Sequence, residues 1–147
     1  MAASKRQMNT RSCSFTPASG TAIVLGGVSN VAVDPQGNLN KFSADGDLFP
    51  TLTVHDYSDP TITITLADIN AALSCGVGTR GSMAVTFKDA KNQAAGSAAG
   101  DITFTMSPAI VQNVPSSQGY RQFGTATLTF ASESVDGVTS PISFTVA

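Results

Sequence analysis

The chain lacks several residues on which common kinds of functional site depend. It has no tryptophan, one histidine (His55) and one glutamate (Glu133) among its 147 residues. Its two cysteines, Cys13 and Cys75, stand far apart without the Cys-x-x-Cys spacing of a zinc site, so we expect both to be reduced. No apolar run approaches the roughly 20 residues of a membrane-spanning helix, so we expect no membrane partner. No apolar segment follows the basic N-terminus, so we expect synthesis in the cytoplasm without a signal peptide.

Charge is also scarce, because Lys, Arg, Asp and Glu make up 12% of the chain and the net charge is −2. A soluble domain usually carries about twice that charged share. A surface of small neutral side chains is easily desolvated, since few ions must lose their water. Such a surface favours burial against partners, although a neutral monomer fits it equally well. Without an excess of cations, we expect no sequence-independent binding to phosphates.

Alternation of apolar and polar residues at the period of a β-strand is abundant. Residues 61–66 place three aliphatic side chains on one face and threonines on the other. The same alternation recurs at residues 82–88, 102–106, 125–131 and 142–146. Within residues 38–50, a polar stretch at 44–47 interrupts the apolar residues Leu39, Phe42, Leu48 and Phe49, which indicates a hairpin or a long loop. Short alternating segments separated by turns predict an all-β fold, an antiparallel sandwich or barrel.

One segment departs from this pattern and predicts a short flanking α-helix at about residues 67–74 (ADINAALS). Ile69 and Leu73 are spaced for one helical face. Thr65 is a candidate cap, and Asp68 in the first turn would favour the helix dipole. At the N-terminus, the polar segment 1–11 lacks periodicity and predicts a flexible arm. We therefore expect a single β domain at residues 12–147.

The sequence offers little to catalysis or metal binding. His55 could join a serine and an aspartate in a nucleophilic site, but no Gly-x-Ser-x-Gly elbow is present. Asp45 and Asp47 could supply oxygen ligands to calcium, but the ordered ligand spacing of a calcium loop is absent, and a turn held by aspartates is the simpler interpretation. We predict no catalytic residue, no cofactor and no metal ion, and thus a protein that is not an enzyme.

The order of elements carries a family resemblance. An alternating strand runs into the short helix at residues 62–74, and after a long loop at 107–123 a threonine-rich strand follows at 125–131. With the low charge and the arm, this resembles bacteriophage tail tube (major tail) proteins over roughly residues 20–147. The resemblance lacks one feature, a strongly acidic strand face for a channel.

The resemblance implies a virion structural protein in the phage tail. Such subunits form hexameric rings that stack into a tube, contact other tail proteins and let DNA pass through the lumen without specific binding. It implies contacts between rings through residues 1–19, 34–50 and 107–123. The candidate interface residues are Lys5, Arg6, Arg11, Phe42, Asp45, Asp47, Phe49, Val111, Tyr120 and Arg121. A capsid decoration protein, a tail-completion protein and a soluble β-sandwich binding module remain as alternatives.

Overall fold

The computed structural model describes residues 7–91 and 99–147. The strands are β1 (Gln7–Pro17), β2 (Ile23–Val24), β3 (Val28–Asp34), β4 (Gly37–Phe42), β5 (Leu52–Ser58), β6 (Thr61–Leu66), β7 (Arg80–Asp89), β8 (Ile102–Asn113), β9 (Ser116–Ser117), β10 (Thr125–Ser132) and β11 (Ile142–Val146). The helix α1 spans Ile69–Cys75. The predicted all-β class with one short helix is confirmed.

The strands form two sheets that differ greatly in size. A nine-stranded antiparallel sheet has the order β2-β1-β7-β8-β10-β6-β3, while β11 pairs with β8 and β9 pairs with β10. Strands β4 and β5 pair with each other in a separate two-stranded sheet. The large sheet folds over on itself, because Phe15 on β1 contacts Phe130 on β10 with ring centroids 5.3 Å apart although two strands separate them in the sheet. The part of the large sheet that contains β1 and β7 and the part that contains β6 and β10 thus face each other as two layers, and the core lies between them.

Strict alternation explains the best-packed strands. On β6, Ile62, Ile64 and Leu66 are fully buried, as the sequence predicts. They lie opposite Phe130, Leu128 and Ala126 on β10 in the antiparallel register, and these three are buried as well. Cross-strand neighbours on one face contact each other directly, so two adjacent strands present a continuous apolar surface to the other layer.

The helix begins two residues later than predicted, and a different face is buried. Asp68 is the N-cap, and its Oδ1 accepts a hydrogen bond from the backbone N–H of Ala71. Thr65, the predicted cap, remains in β6. Leu73 is exposed, while Ala71, Ala72 and Cys75 are buried. The helix packs against β2 and β10, and small side chains allow it to approach them closely.

Two further predictions are wrong in their boundaries. Residues 7–11 of the predicted arm belong to β1, where Gln7 pairs with Asp89, and residues 1–6 lie outside the described residues. The predicted loop at 107–123 begins only after Asn113, because β8 continues through Pro108 and directs Ala109 and Val111 into the core. The small residues of the segment 92–100 also predict a loop tip, and residues 92–98 of it lie outside the described residues.

The contact between Phe15 and Phe130 predicts a large cost of truncation. Replacement of Phe130 by alanine should lower the free energy of unfolding by about 3–5 kcal/mol, since a fully buried ring leaves a cavity. Phe123→Ala is the matched control, because that ring is fully exposed and its loss should change stability by less than about 0.5 kcal/mol. Urea denaturation followed by circular dichroism measures both. Equal losses would contradict this core.

Candidate functional site

The hairpin of β4 and β5 stands out because every residue of its two strands is exposed. Phe42 lies opposite Leu52, while Val54 and Tyr57 lie opposite Asn40 and Asn38. Residues opposite each other share a face, and so do alternate residues along a strand. A register irregularity between the pairs Leu39–His55 and Asn38–Tyr57 moves Tyr57 onto the face of Leu52 and Val54. Phe42, Leu52, Val54 and Tyr57 therefore form one apolar face, and each of them is 48–60% exposed. We call these four residues the hairpin face.

The tip of the hairpin is an ordered turn that presents two further apolar side chains. The backbone N–H of Asp47 donates to the carbonyl of Ala44 at 3.0 Å, and the carboxylate of Asp47 accepts from the N–H of Ala44 at 2.8 Å. Gly46 supplies the left-handed conformation of this turn with φ of 89°. Leu48 and Phe49 follow directly and are 91% and 79% exposed. Asp47 thus holds the turn, as the simpler interpretation of the sequence proposed.

A second exposed apolar site is the loop between β9 and β10. Tyr120 and Phe123 are almost fully exposed, and the guanidinium of Arg121 lies 5.3 Å from the centre of the Tyr120 ring. At that distance a cation interacts favourably with the face of the ring. The pair therefore keeps an aromatic ring and a positive charge together at the surface.

An apolar groove lies between strands β3 and β11. Val33 and Pro35 line one side, while Phe104, Ile142 and Phe144 line the other, around a volume of about 480 Å³. The Phe104 ring also contacts Phe87 and Phe144, with centroids 5.7 and 6.0 Å away. Phe144 is 65% exposed. We call this feature the β3–β11 groove.

The structure places the predicted interface residues in different parts of the chain. Phe42, Asp45, Asp47 and Phe49 lie together at the distal end of the hairpin, and Tyr120 and Arg121 lie on the second loop. Lys5 and Arg6 lie outside the described residues. Val111 is 1% exposed and belongs to the core, so its side chain is not available to a partner and its assignment is wrong. The sequence interpretation missed Leu52, Val54 and Tyr57 as surface residues. Leu52 and Val54 alternate like a strand that is buried on one face, and Tyr57 joins their face only through the register irregularity after His55.

Arg11 is engaged within the chain. Its guanidinium forms an ion pair with Asp101, whose other oxygen accepts the backbone N–H of Asp89 at 3.0 Å. These contacts join β1, the end of β7 and the start of β8. The hydrogen bond from Asp89 and the charge of Arg11 hold the pKa of Asp101 below its usual value. Arg11 therefore has a structural role at this corner of the sheet.

Acid titration tests the role of Asp101. Because its pKa is lower in the folded chain than in the unfolded one, the carboxylate stabilises the fold above the unfolded pKa of about 4, and this contribution disappears as pH falls through the folded pKa. Asp101→Asn should be less stable than the wild type at neutral pH and should lose less stability on acidification to about pH 2. Asp45→Asn is the matched control for the lost charge, because it removes one carboxylate from the exposed hairpin tip. Identical acid profiles for Asp101→Asn and the wild type would contradict this.

His55 has a polar neighbour, but the pair does not form a complete catalytic site. Its Nε2 lies 2.8 Å from the hydroxyl of Ser58, and both residues are exposed on β5. A serine nucleophile also requires an acid that orients the imidazole and donors that stabilise an oxyanion. Among the described residues, no group of three or more His, Cys, Asp or Glu side chains is arranged to hold a metal ion. The absence of catalysis stays a prediction.

The two cysteines are free and buried, which confirms the prediction that they are reduced. Burial, together with the nearby charge of Cys75, raises the pKa of the Cys13 thiol to about 12. Burial also raises the pKa of Cys75. The reactive thiolate is therefore suppressed at both positions.

Thiol labelling checks this state. Ellman's reagent at about pH 8 should leave the native chain unmodified, because both thiols are protonated and shielded. Unfolding in guanidinium without reductant should then release two reactive thiols per chain. If the unfolded chain shows none, the cysteines are bonded to each other, which would contradict the structure.

Comparison with known proteins finds no family model and no curated protein that matches this chain. Within the described ranges, no helix has the length and apolar character that crossing a membrane requires.

Proposed function

We propose that this protein is a virion structural subunit that assembles with copies of itself, in the manner of a phage tail tube subunit. Stacked rings of the subunit would form the tail channel through which DNA passes, in contact with other tail proteins. The observation that carries this proposal is the hairpin face: Phe42, Leu52, Val54 and Tyr57 form an apolar surface that the described part of the chain leaves uncovered.

An exposed two-stranded hairpin contributes little to the stability of a monomer. Two strands without a packed face are only marginally stable in water. Full burial of one large apolar side chain contributes about 1.5–3 kcal/mol. The hairpin face and tip together present six such side chains, so their burial against a partner would contribute on the order of 10 kcal/mol. Association costs a similar amount, so a single hairpin contact is weak and repeated contacts in a ring or stack are favoured.

The outer face of β6 and β10 suits a channel through which a polyanion passes. Thr63 lies opposite Thr129, and Thr65 lies opposite Thr127, on the side of the sheet away from the core. This face is neutral and hydroxylated, so it can be hydrated without cations that would hold phosphates. DNA would pass such a lining without specific binding.

Removal of the hairpin's apolar side chains should prevent assembly without unfolding the domain. The double variant Phe42→Ser/Phe49→Ser should stay monomeric at concentrations where the wild type forms rings or tubes, measured by sedimentation velocity and electron microscopy. Its circular dichroism and melting temperature should stay close to wild type, because both rings are exposed. Leu39→Ser is the matched control, since Leu39 lies opposite His55 on the other side of the hairpin.

A wild-type chain that stays monomeric at high micromolar concentration would contradict self-assembly. It would favour the alternative of a soluble binding module that recognises its ligand through loops such as the one that carries Tyr120 and Arg121. Assembly that the double variant retains would contradict the role of the hairpin.

A further inference from the structure

We propose that the β3–β11 groove of one copy receives the hairpin tip, Leu48 and Phe49, of a second copy. This inference rests on the proposed self-assembly and names the two surfaces that meet. The groove and the tip are both apolar, and the described part of the chain covers neither of them.

The groove is open because β8 pairs with two different strands along one edge. Residues 102–106 of β8 pair with β11, whereas residues 109–113 pair with β10. The facing layer ends at β3, which lies at the end of the strand order. The aromatic row of Phe87, Phe104 and Phe144 therefore extends beyond the part of the core that β6 and β10 cover. The side chains of Phe144 and Val146 are more than half exposed there, on the face that is buried further along β8.

The groove has the size and chemistry of the tip. An apolar cavity of about 150 Å³ holds a benzene ring. A groove of about 480 Å³ can therefore hold the Phe49 ring together with the side chain of Leu48. Val33, Pro35 and Ile142 supply aliphatic walls, and Phe104 and Phe144 supply ring faces and edges for an aromatic guest.

The tip that fills the groove must come from another copy. Pro35, in the wall of the groove, lies two residues before β4, so the groove is at the base of the copy's own hairpin. The tip lies at the far end of β4, roughly 20 Å away along an extended strand. Donor and acceptor thus occupy opposite ends of one element. Such a head-to-tail contact either closes into a ring or continues as a stack.

The area of this contact makes it one part of a larger interface. Burial of the Phe49 and Phe144 rings removes on the order of 300–400 Å² from water. A stable interface buries about 800 Å² on each partner. The tip in the groove would thus act together with the hairpin face.

Directed disulfide cross-linking tests the contact on the full chain. Phe49→Cys and Phe144→Cys are made separately, mixed and oxidised mildly, while the native cysteines remain buried. The mixture should give covalent dimers that neither variant gives alone, and the double variant should give a ladder of multimers. Phe49→Cys mixed with Val135→Cys is the matched control, since Val135 is an exposed apolar residue on the loop between β10 and β11. It should give little dimer.

A double-mutant cycle provides the second measurement. Phe49→Ser and Phe144→Ser should each raise the concentration for half-maximal assembly by at least about tenfold. Because both changes remove the same contact, the double variant should be little worse than either single variant.

The outcomes separate this inference from the proposed function. Wild-type assembly without cross-links to position 144, or with additive effects in the cycle, overturns the groove as the acceptor and leaves self-assembly in place. Cross-linking within single chains of the double variant, without dimers in the mixture, shows that the tip fills its own groove and also overturns the inference. A wild type that does not assemble overturns both proposals.

Discussion

The rest of the structure depends on the packing of Phe15 against Phe130 across the two layers of the sandwich. The two rings come from strands that are not neighbours in the sheet, so their contact sets the distance between the layers. At that distance, the alternating side chains of β6 and β10 reach those of β1 and β7. The helix α1 presents small side chains to the core because it packs against β2 and β10, where these layers already approach each other.

A second constraint follows from the length of β8. It is longer than β10 or β11, the two strands that pair with its edge opposite β7. The strand changes partner from β11 to β10 around Pro108, a residue that cannot donate a backbone hydrogen bond. Ala109 and Val111 beyond this point and Met106 before it lie in the core, whereas Phe104, on the same face as Met106, lines the β3–β11 groove. One continuous apolar strand thus contributes both to the stability of the fold and to its uncovered surface.

Local periodicity in the sequence predicts which side chains of a strand are buried. It does not predict where a strand or helix ends when that depends on pairing with distant segments. The buried faces of β6, β7 and β10 follow from period-two alternation, because a strand with one apolar face must bury it. The extent of β8 could not be read in this way, since Pro108 indicates a break and its tolerance depends on a change of partner in the sheet. The N-cap is Asp68 and not Thr65 because the backbone N–H of Ala67 bonds to Gly27 on a distant segment. Val111 was assigned to a surface loop for the same reason that the end of β8 was missed.

The hairpin face shows the deeper limit of such inference. Leu52 and Val54 alternate with polar residues as the apolar residues of β6 do, which predicts a strand with one buried face, but the pattern does not specify which molecule buries that face. Isolated charges protect exposed strand edges in many monomers, and this chain has few charges to use. An uncovered apolar hairpin on a surface of low charge is unfavourable for a monomer, and it becomes favourable when a second copy supplies the missing layer. In the proposed assembly, low charge, the exposed hairpin and the open groove share one cause, because a neighbouring copy would complete part of the core.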